Sequence, residues 1–103
     1  MTMTAENPIL SLRTLNDIEL RISSNTETIK DYETLDFFLS SIGLAGYLMG
    51  VLTRNGYSNY QQYLSDKKNP SRPNLMAINS IYGNVNGLLI GLKNYAQSKN
   101  LIV

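Results

Sequence analysis

The sequence predicts an all-α fold, a three- or four-helix antiparallel bundle or a helical hairpin with glycine-lined helix contacts. Three observations carry this prediction. Apolar residues recur at the three- and four-residue spacing of a helix face, two long segments (residues 34–54 and 74–98) hold that pattern, and the chain has only three prolines. With 103 residues, of which 43% are hydrophobic, the chain has the length and composition of a single folded domain spanning residues 1–103.

Residues 15–32 allow more than one interpretation. Leu15, Ile18 and Ile22 follow helical spacing, which favours a single helix or two helices with a break near Ser24. The period-two alternation of Ile18, Leu20 and Ile22 also fits a small hairpin. Before this region, residues 1–12 are predicted to be a flexible arm, because Pro8 disfavours helical geometry at its neighbour.

Residues 34–54 are predicted to form one long helix that is apolar on all sides, as in helices buried in protein or lipid. Asn55-Gly56 provides a C-terminal stop. Ser58 and Gln61 then form a capping box for a short helix over residues 59–66. Residues 67–73, which contain two prolines, are predicted to be an exposed loop before the final helix, residues 74–98.

Two groups of glycines are the most informative feature of these helices. The first glycine group is Gly43, Gly46 and Gly50, and the second glycine group is Gly83, Gly87 and Gly91. A glycine inside a helix costs roughly 1 kcal/mol relative to alanine. Close approach of another backbone can offset this cost, so we expect tight helix–helix contacts at both groups. The contact could join the two groups within the chain or join two copies of it.

The composition excludes several kinds of chemistry. The chain lacks cysteine, histidine and tryptophan. Histidine and cysteine are the commonest general bases, nucleophiles and metal ligands. We therefore expect no enzymatic activity, no metal site and no cofactor. The glycine groups also lack the spacing of a phosphate-binding loop, and no other motif identifies a protein family.

Charge divides the chain into an acidic and a basic half. Residues 1–50 carry seven acidic and three basic residues, whereas residues 51–103 carry six basic residues and one acidic residue. The halves could attract each other within the fold or between copies, or the asymmetry could be without consequence on a solvated surface.

Aromatic and basic residues stand together after the long apolar segment. Tyr57, Tyr60 and Tyr63 recur every three residues and are followed by a basic loop of three cations (Lys67, Lys68 and Arg72). This arrangement could stack bases and hold phosphates, or bind another small ligand. Three clustered cations are few for nucleic-acid binding, and tyrosines are common at protein interfaces.

A membrane role is the principal alternative. Residues 37–53 form an uncharged run of 17 residues, at the lower limit for spanning a bilayer as part of a helical hairpin. The first twelve residues lack the basic and apolar regions of a secretion signal. We therefore expect a cytoplasmic protein, compatible with a bacterial or phage origin, with membrane association as the alternative.

The function predicted from sequence is that of a small non-catalytic helical interaction or assembly protein. It would associate with copies of itself or bind another protein through its helix faces. The expected contact residues are Gly83, Gly87 and Gly91, with Gly46, Gly50 and the three tyrosines as further interface residues.

Overall fold

The last helix of the chain organises the fold, because three other helices pack against it. The computed structural model describes residues 8–103, which form five α-helices, one 3-10 turn and no strand. The helices are α1 (Leu12–Ser23), α2 (Ile29–Ser41), α3 (Tyr47–Arg54), α4 (Tyr60–Lys68) and α5 (Leu75–Ser98). Helix α5 contacts α1, α3 and α4, while α2 contacts α3 and α4. The all-α prediction is confirmed, with five helices in the described residues rather than three or four.

The start of α1 is hydrogen-bonded to the residues that follow α5. Ser11 is buried and its hydroxyl accepts a hydrogen bond from the amide of Thr14, as an N-cap does. The amide of Leu12 donates to the carbonyl of Leu101 at 2.7 Å. Most of the arm predicted over residues 1–12 lies outside the described residues, and those from Pro8 onward lead directly into α1.

Residues 15–32 belong to two helices joined by a tight turn. Asn25 has a φ of 60°, a left-handed conformation that asparagine tolerates better than most residues. A capping box between Thr28 and Asp31 then starts α2. Asp31 also binds Arg21 of α1, with 2.7 Å between the carboxylate and the guanidinium, so the two helices are tied at the turn.

The prediction of one continuous helix over residues 34–54 is wrong. Helix α2 ends at Ser41 and α3 begins at Tyr47. Between them Gly43 and Gly46 have φ values of 85° and 77°, in the left-handed region that a right-handed helix cannot use. Two members of the first glycine group therefore make a turn, and only Gly50 lies within a helix.

The second half of the chain matches its prediction more closely. The final helix was predicted over residues 74–98 and is observed as Leu75–Ser98. Helix α4 extends past the predicted residue 66 to Lys68. Lys67 and Lys68 therefore belong to its last turn rather than to the predicted loop, which continues through a 3-10 turn over Arg72–Asn74.

Every helix contributes to one hydrophobic core. Helix α5 supplies a continuous buried stripe along its length, and α1 faces it with three fully buried aliphatic residues. Burying one such side chain is worth about 1.5–3 kcal/mol. The buried residues of α5 are Ile78, Ile81, Val85, Leu89, Leu92 and Ala96.

Candidate functional site

The face of α5 opposite its buried stripe is open. At 100° per residue, the second glycine group lies on the side away from the core residues. Met76 and Ile90 lie on this same side, and they are 84% and 56% exposed. We call these five residues (Met76, Gly83, Gly87, Ile90 and Gly91) the outward face of α5.

No other part of the described chain packs on these glycines. A Cβ atom added at Gly83, Gly87 or Gly91 would have no heavy atom within 4 Å outside the neighbouring helix backbone. The same is true of Gly43 and Gly46, and an atom added at Gly50 would meet only the side chain of Arg54, at 3.6 Å. The predicted packing of one glycine group against the other is therefore not found within residues 8–103.

Helix α5 is also almost free of charge. Lys93 is its one charged residue, and the amino group of Lys93 binds the Glu19 carboxylate of α1 at 2.8 Å. The solvent side of a surface helix normally carries charged and polar residues. Depletion of charge together with exposed Met and Ile is instead typical of the central part of a protein interface.

An apolar groove adjoins the outward face. It has a volume of about 470 Å³ and lies between α5 and the α2–α3 turn. The left-handed conformations of Gly43 and Gly46 shape that turn, which carries the exposed side chain of Leu44. The residues that line the groove are Leu39, Ile42, Leu44, Gly87, Leu88, Gly91, Leu92 and Tyr95.

The three predicted interface tyrosines lie mainly in the core. Tyr63 is fully buried and Tyr57 is 8% exposed, whereas Tyr60 is half-buried. Their rings form a cluster with Tyr32 of α2, which stacks on Tyr60 at 5.8 Å and meets Tyr63 edge-on at 5.7 Å. These tyrosines hold α4 against α2, and the buried pair offers no surface to a partner.

Burial also changes the acidity of the cluster. It raises the pKa of Tyr57 to about 12, and a 2.7 Å hydrogen bond to Asp66 adds to this shift. Burial likewise raises the pKa of Tyr60 to about 12, with the nearby charges of Asp36 and Glu33 contributing. Both phenols therefore stay protonated near neutral pH, and neither can act as a general base there.

Two of the three cations of the predicted basic loop bind other groups of the same chain. The amino group of Lys67 binds the carboxylate of Glu27 at 2.5 Å and the side-chain oxygen of Asn25 at 3.1 Å. Lys68 donates to the carbonyl of Asn25. Arg72 remains exposed and forms no ion pair within residues 8–103. The three cations therefore do not form a continuous patch for phosphates.

Glu27 is the buried charge that the sequence did not reveal. It is 1% exposed, and Tyr32 donates a second hydrogen bond to its carboxylate at 2.6 Å. Burial acts to raise the pKa of Glu27, but the hydrogen bonds from Lys67 and Tyr32 act together in the opposite direction, and the pKa lies below its usual value. Glu27 and Lys67 are 40 residues apart, and no local pattern links them.

Within residues 8–103, no three metal-binding side chains of the His, Cys, Asp or Glu type come together.

No protein-family model matches the chain, and no curated protein or solved structure is significantly similar to it. The interpretation of the outward face therefore rests on its own geometry.

Helix α5 also meets a membrane criterion. With the preceding 3-10 turn it spans Arg72–Ser98, which is long and apolar enough to cross a bilayer by length and composition, although the core helices of soluble proteins pass the same test. In its most apolar window, 28% of the residues are buried in the fold. Residues 37–53, in contrast, are interrupted by the α2–α3 turn.

Proposed function

We propose that this chain is a small non-catalytic assembly protein that associates with copies of itself through the outward face of α5. The observation that carries the proposal is that three helical glycines stand on an exposed, uncharged face where nothing in the described chain contacts them. Each glycine weakens the helix by roughly 1 kcal/mol. Contact with another helix would offset this loss, because an absent Cβ lets a backbone approach closely.

Self-association is favoured over a foreign partner by the absence of charge. A face without charges can meet an identical face without like-charge repulsion, as a symmetric dimer requires. We place this protein in the cytoplasm and assign it no cofactor or metal. Tyr57 and Tyr63 are left out of the proposed surface because they are buried, and the ligand- or nucleic-acid-binding alternative would have to rely chiefly on Arg72.

The test compares the masses of two variants in solution. We expect light scattering of the wild-type chain to exceed the monomer mass of 11.5 kDa at the upper end of a tenfold concentration range. Gly87→Leu should remain monomeric and equally helical, because leucine is a good helix former but fills the space needed by a second backbone. Gln61→Leu is the matched control, since it adds an exposed leucine to α4, away from the outward face.

An unchanged mass in the Gly87→Leu variant would contradict the proposed surface. A wild-type chain that stays monomeric across the whole range would contradict self-association itself.

A membrane-associated protein is the second proposal, and the length and composition of α5 favour it. The helical hairpin predicted to insert residues 37–53 would first have to straighten the α2–α3 turn. Flotation of detergent-free protein with lipid vesicles would support membrane association. Full recovery of the protein in the vesicle-free fraction would count against it.

A further inference from the structure

The ion pair between Glu27 and Lys67 is the most deeply buried ion pair of residues 8–103. The two side chains are 0% and 8% exposed, whereas every other pair includes a side chain that is at least 34% exposed. Water and salt screen the exposed pairs, but they screen a buried pair only weakly. Loss of the charge on Glu27 would therefore leave the Lys67 ammonium nearly buried without a counter-charge.

The Lys67 ammonium joins two separate parts of the fold. Glu27 lies in the turn between α1 and α2, and Lys67 lies in the last turn of α4. The ammonium binds the carboxylate of Glu27 at 2.5 Å. It also donates to the carbonyl of Ile22 at 3.2 Å and to the side-chain oxygen of Asn25 at 3.1 Å. One side chain therefore attaches the end of α4 to the end of α1 and to the α1–α2 turn.

Helix α4 has few other contacts that hold it in place. Tyr63 and Leu64 are its buried residues, and Tyr60 is half-buried. Non-helical residues 55–59 precede α4 and residues 69–71 follow it, so α4 can move without bending another helix. Elements with few buried apolar contacts open at a lower free-energy cost than the core. The attachment of α4 should therefore depend strongly on the Glu27–Lys67 pair.

We propose that the Glu27–Lys67 pair is an acid-sensitive switch: protonation of Glu27 releases α4 locally, while the other four α-helices stay packed together. The contacts of α5 with α1 and α3, and of α2 with α3, would persist. Release would expose the rings of Tyr32 and Tyr63, whose edge-on contact joins α4 to α2. The switch would operate in a single chain, so it does not depend on the proposed self-association.

The groups around the carboxylate strengthen the effect of protonation. The other charged and titratable side chains beside the pair come from α2, α4 and α5, namely Tyr32, Tyr63, Lys68 and Tyr82. The amino group of Lys68 lies 3.6 Å from the second carboxylate oxygen of Glu27, so two positive charges would remain close together after protonation. Burial raises the pKa of both Tyr32 and Tyr63, so these phenols stay neutral.

The switch should stay closed at neutral pH and open in acid. Burial acts to raise the pKa of Glu27, but the hydrogen bonds from Lys67 and Tyr32 together act more strongly in the opposite direction, and the pKa lies below its usual 4.5. Ionised Glu27 therefore holds α4 above pH 4.5, and this attachment weakens as the pH falls through the folded-state pKa.

Hydrogen exchange of the unmodified protein tests this order of events. Mass spectrometry would follow the backbone amides of α4 and α5 from neutral to acid pH, with rates corrected for the effect of pH on the exchange chemistry. We expect the protection of α4 to fall several-fold below pH 4.5, by at most about tenfold for each pH unit because one proton is bound, while α5 stays protected. Loss of protection in both helices at the same pH would overturn the proposal.

Three variants identify the responsible carboxylate. In Glu27→Gln, α4 should lose its protection several-fold at neutral pH and show no further loss in acid. Adding Lys67→Met removes the unpaired charge, so the double variant should protect α4 at every pH at which α5 is protected. Asp31→Asn is the matched control, because its partner Arg21 is 44% exposed, and its α4 should open in acid as in the wild type. Acid release of α4 in the double variant would overturn the role of the Glu27–Lys67 pair.

Discussion

The second glycine group allows a quantitative test of whether the outward face is open in the single chain. We consider the triple variant Gly83→Ala/Gly87→Ala/Gly91→Ala. An added Cβ at each site meets no atom within 4 Å, so alanine introduces no clash. Each replacement should gain about 0.8–1 kcal/mol in helix propensity, which gives roughly 2–3 kcal/mol for the three. For a chain of this size, the melting temperature should rise by at least about 8 °C.

The assay is urea unfolding followed by circular dichroism, at protein concentrations low enough to keep the chain monomeric. We expect the midpoint to rise by roughly 1–2 M urea with an unchanged slope. Gly46→Ala is the internal control, because Gly46 has a φ of 77° and alanine there should destabilise the fold by about 1–2 kcal/mol. A triple variant no more stable than the wild type would refute the reasoning, since it would mean that the face is occupied or strained.

Two further predictions concern the interior. Glu27→Gln should lower the free energy of unfolding by about 3–5 kcal/mol at pH 7, because it leaves the nearly buried amino group of Lys67 without its counter-charge. The pKa of Glu27 in the folded state lies below its usual 4.5, so ionised Glu27 stabilises the wild type above pH 4.5, and this contribution is lost as the pH falls through the folded-state pKa. Urea titrations at several pH values should show this loss in the wild type and not in the Glu27→Gln variant. Tyr63→Phe should leave the free energy of unfolding unchanged or raise it, because the fully buried Tyr63 hydroxyl has no hydrogen-bond partner within residues 8–103. A melting temperature lowered by more than about 5 °C would contradict this prediction.

Helix periodicity predicted those parts of the fold that depend on local spacing. The bounds of α5 follow from a long amphipathic pattern preceded by two prolines, and they are observed within one residue of the prediction. The break between α2 and α3 could not be obtained in the same way. Glycines three or four residues apart fit both a helix packing stripe and a left-handed turn, and only the backbone φ of Gly43 and Gly46 separates the two.

The candidate site was predictable to a similar extent. Angular stepping along α5 placed Gly83, Gly87 and Gly91 on a face apart from the core stripe, and the structure has that arrangement. The three-residue spacing of Tyr57, Tyr60 and Tyr63 suggests a shared surface, but spacing alone cannot say whether that surface faces solvent or the interior. Tyr63 meets the Tyr32 ring of α2, and Tyr57 in turn packs edge-on against Tyr63, so the burial of both residues depends on tertiary packing.

The two glycine groups therefore differ in how their cost is offset. Gly43 and Gly46 adopt left-handed φ values that a side chain would make unfavourable, so the turn itself accounts for them. The second glycine group adopts ordinary helical geometry in open space, and nothing in the described chain accounts for it. The roughly 3 kcal/mol involved is a large fraction of the 5–15 kcal/mol that stabilises a typical domain. No contact within residues 8–103 compensates for this cost, so the alanine variants should gain stability as monomers, and under the proposed self-association the leucine variant should lose assembly.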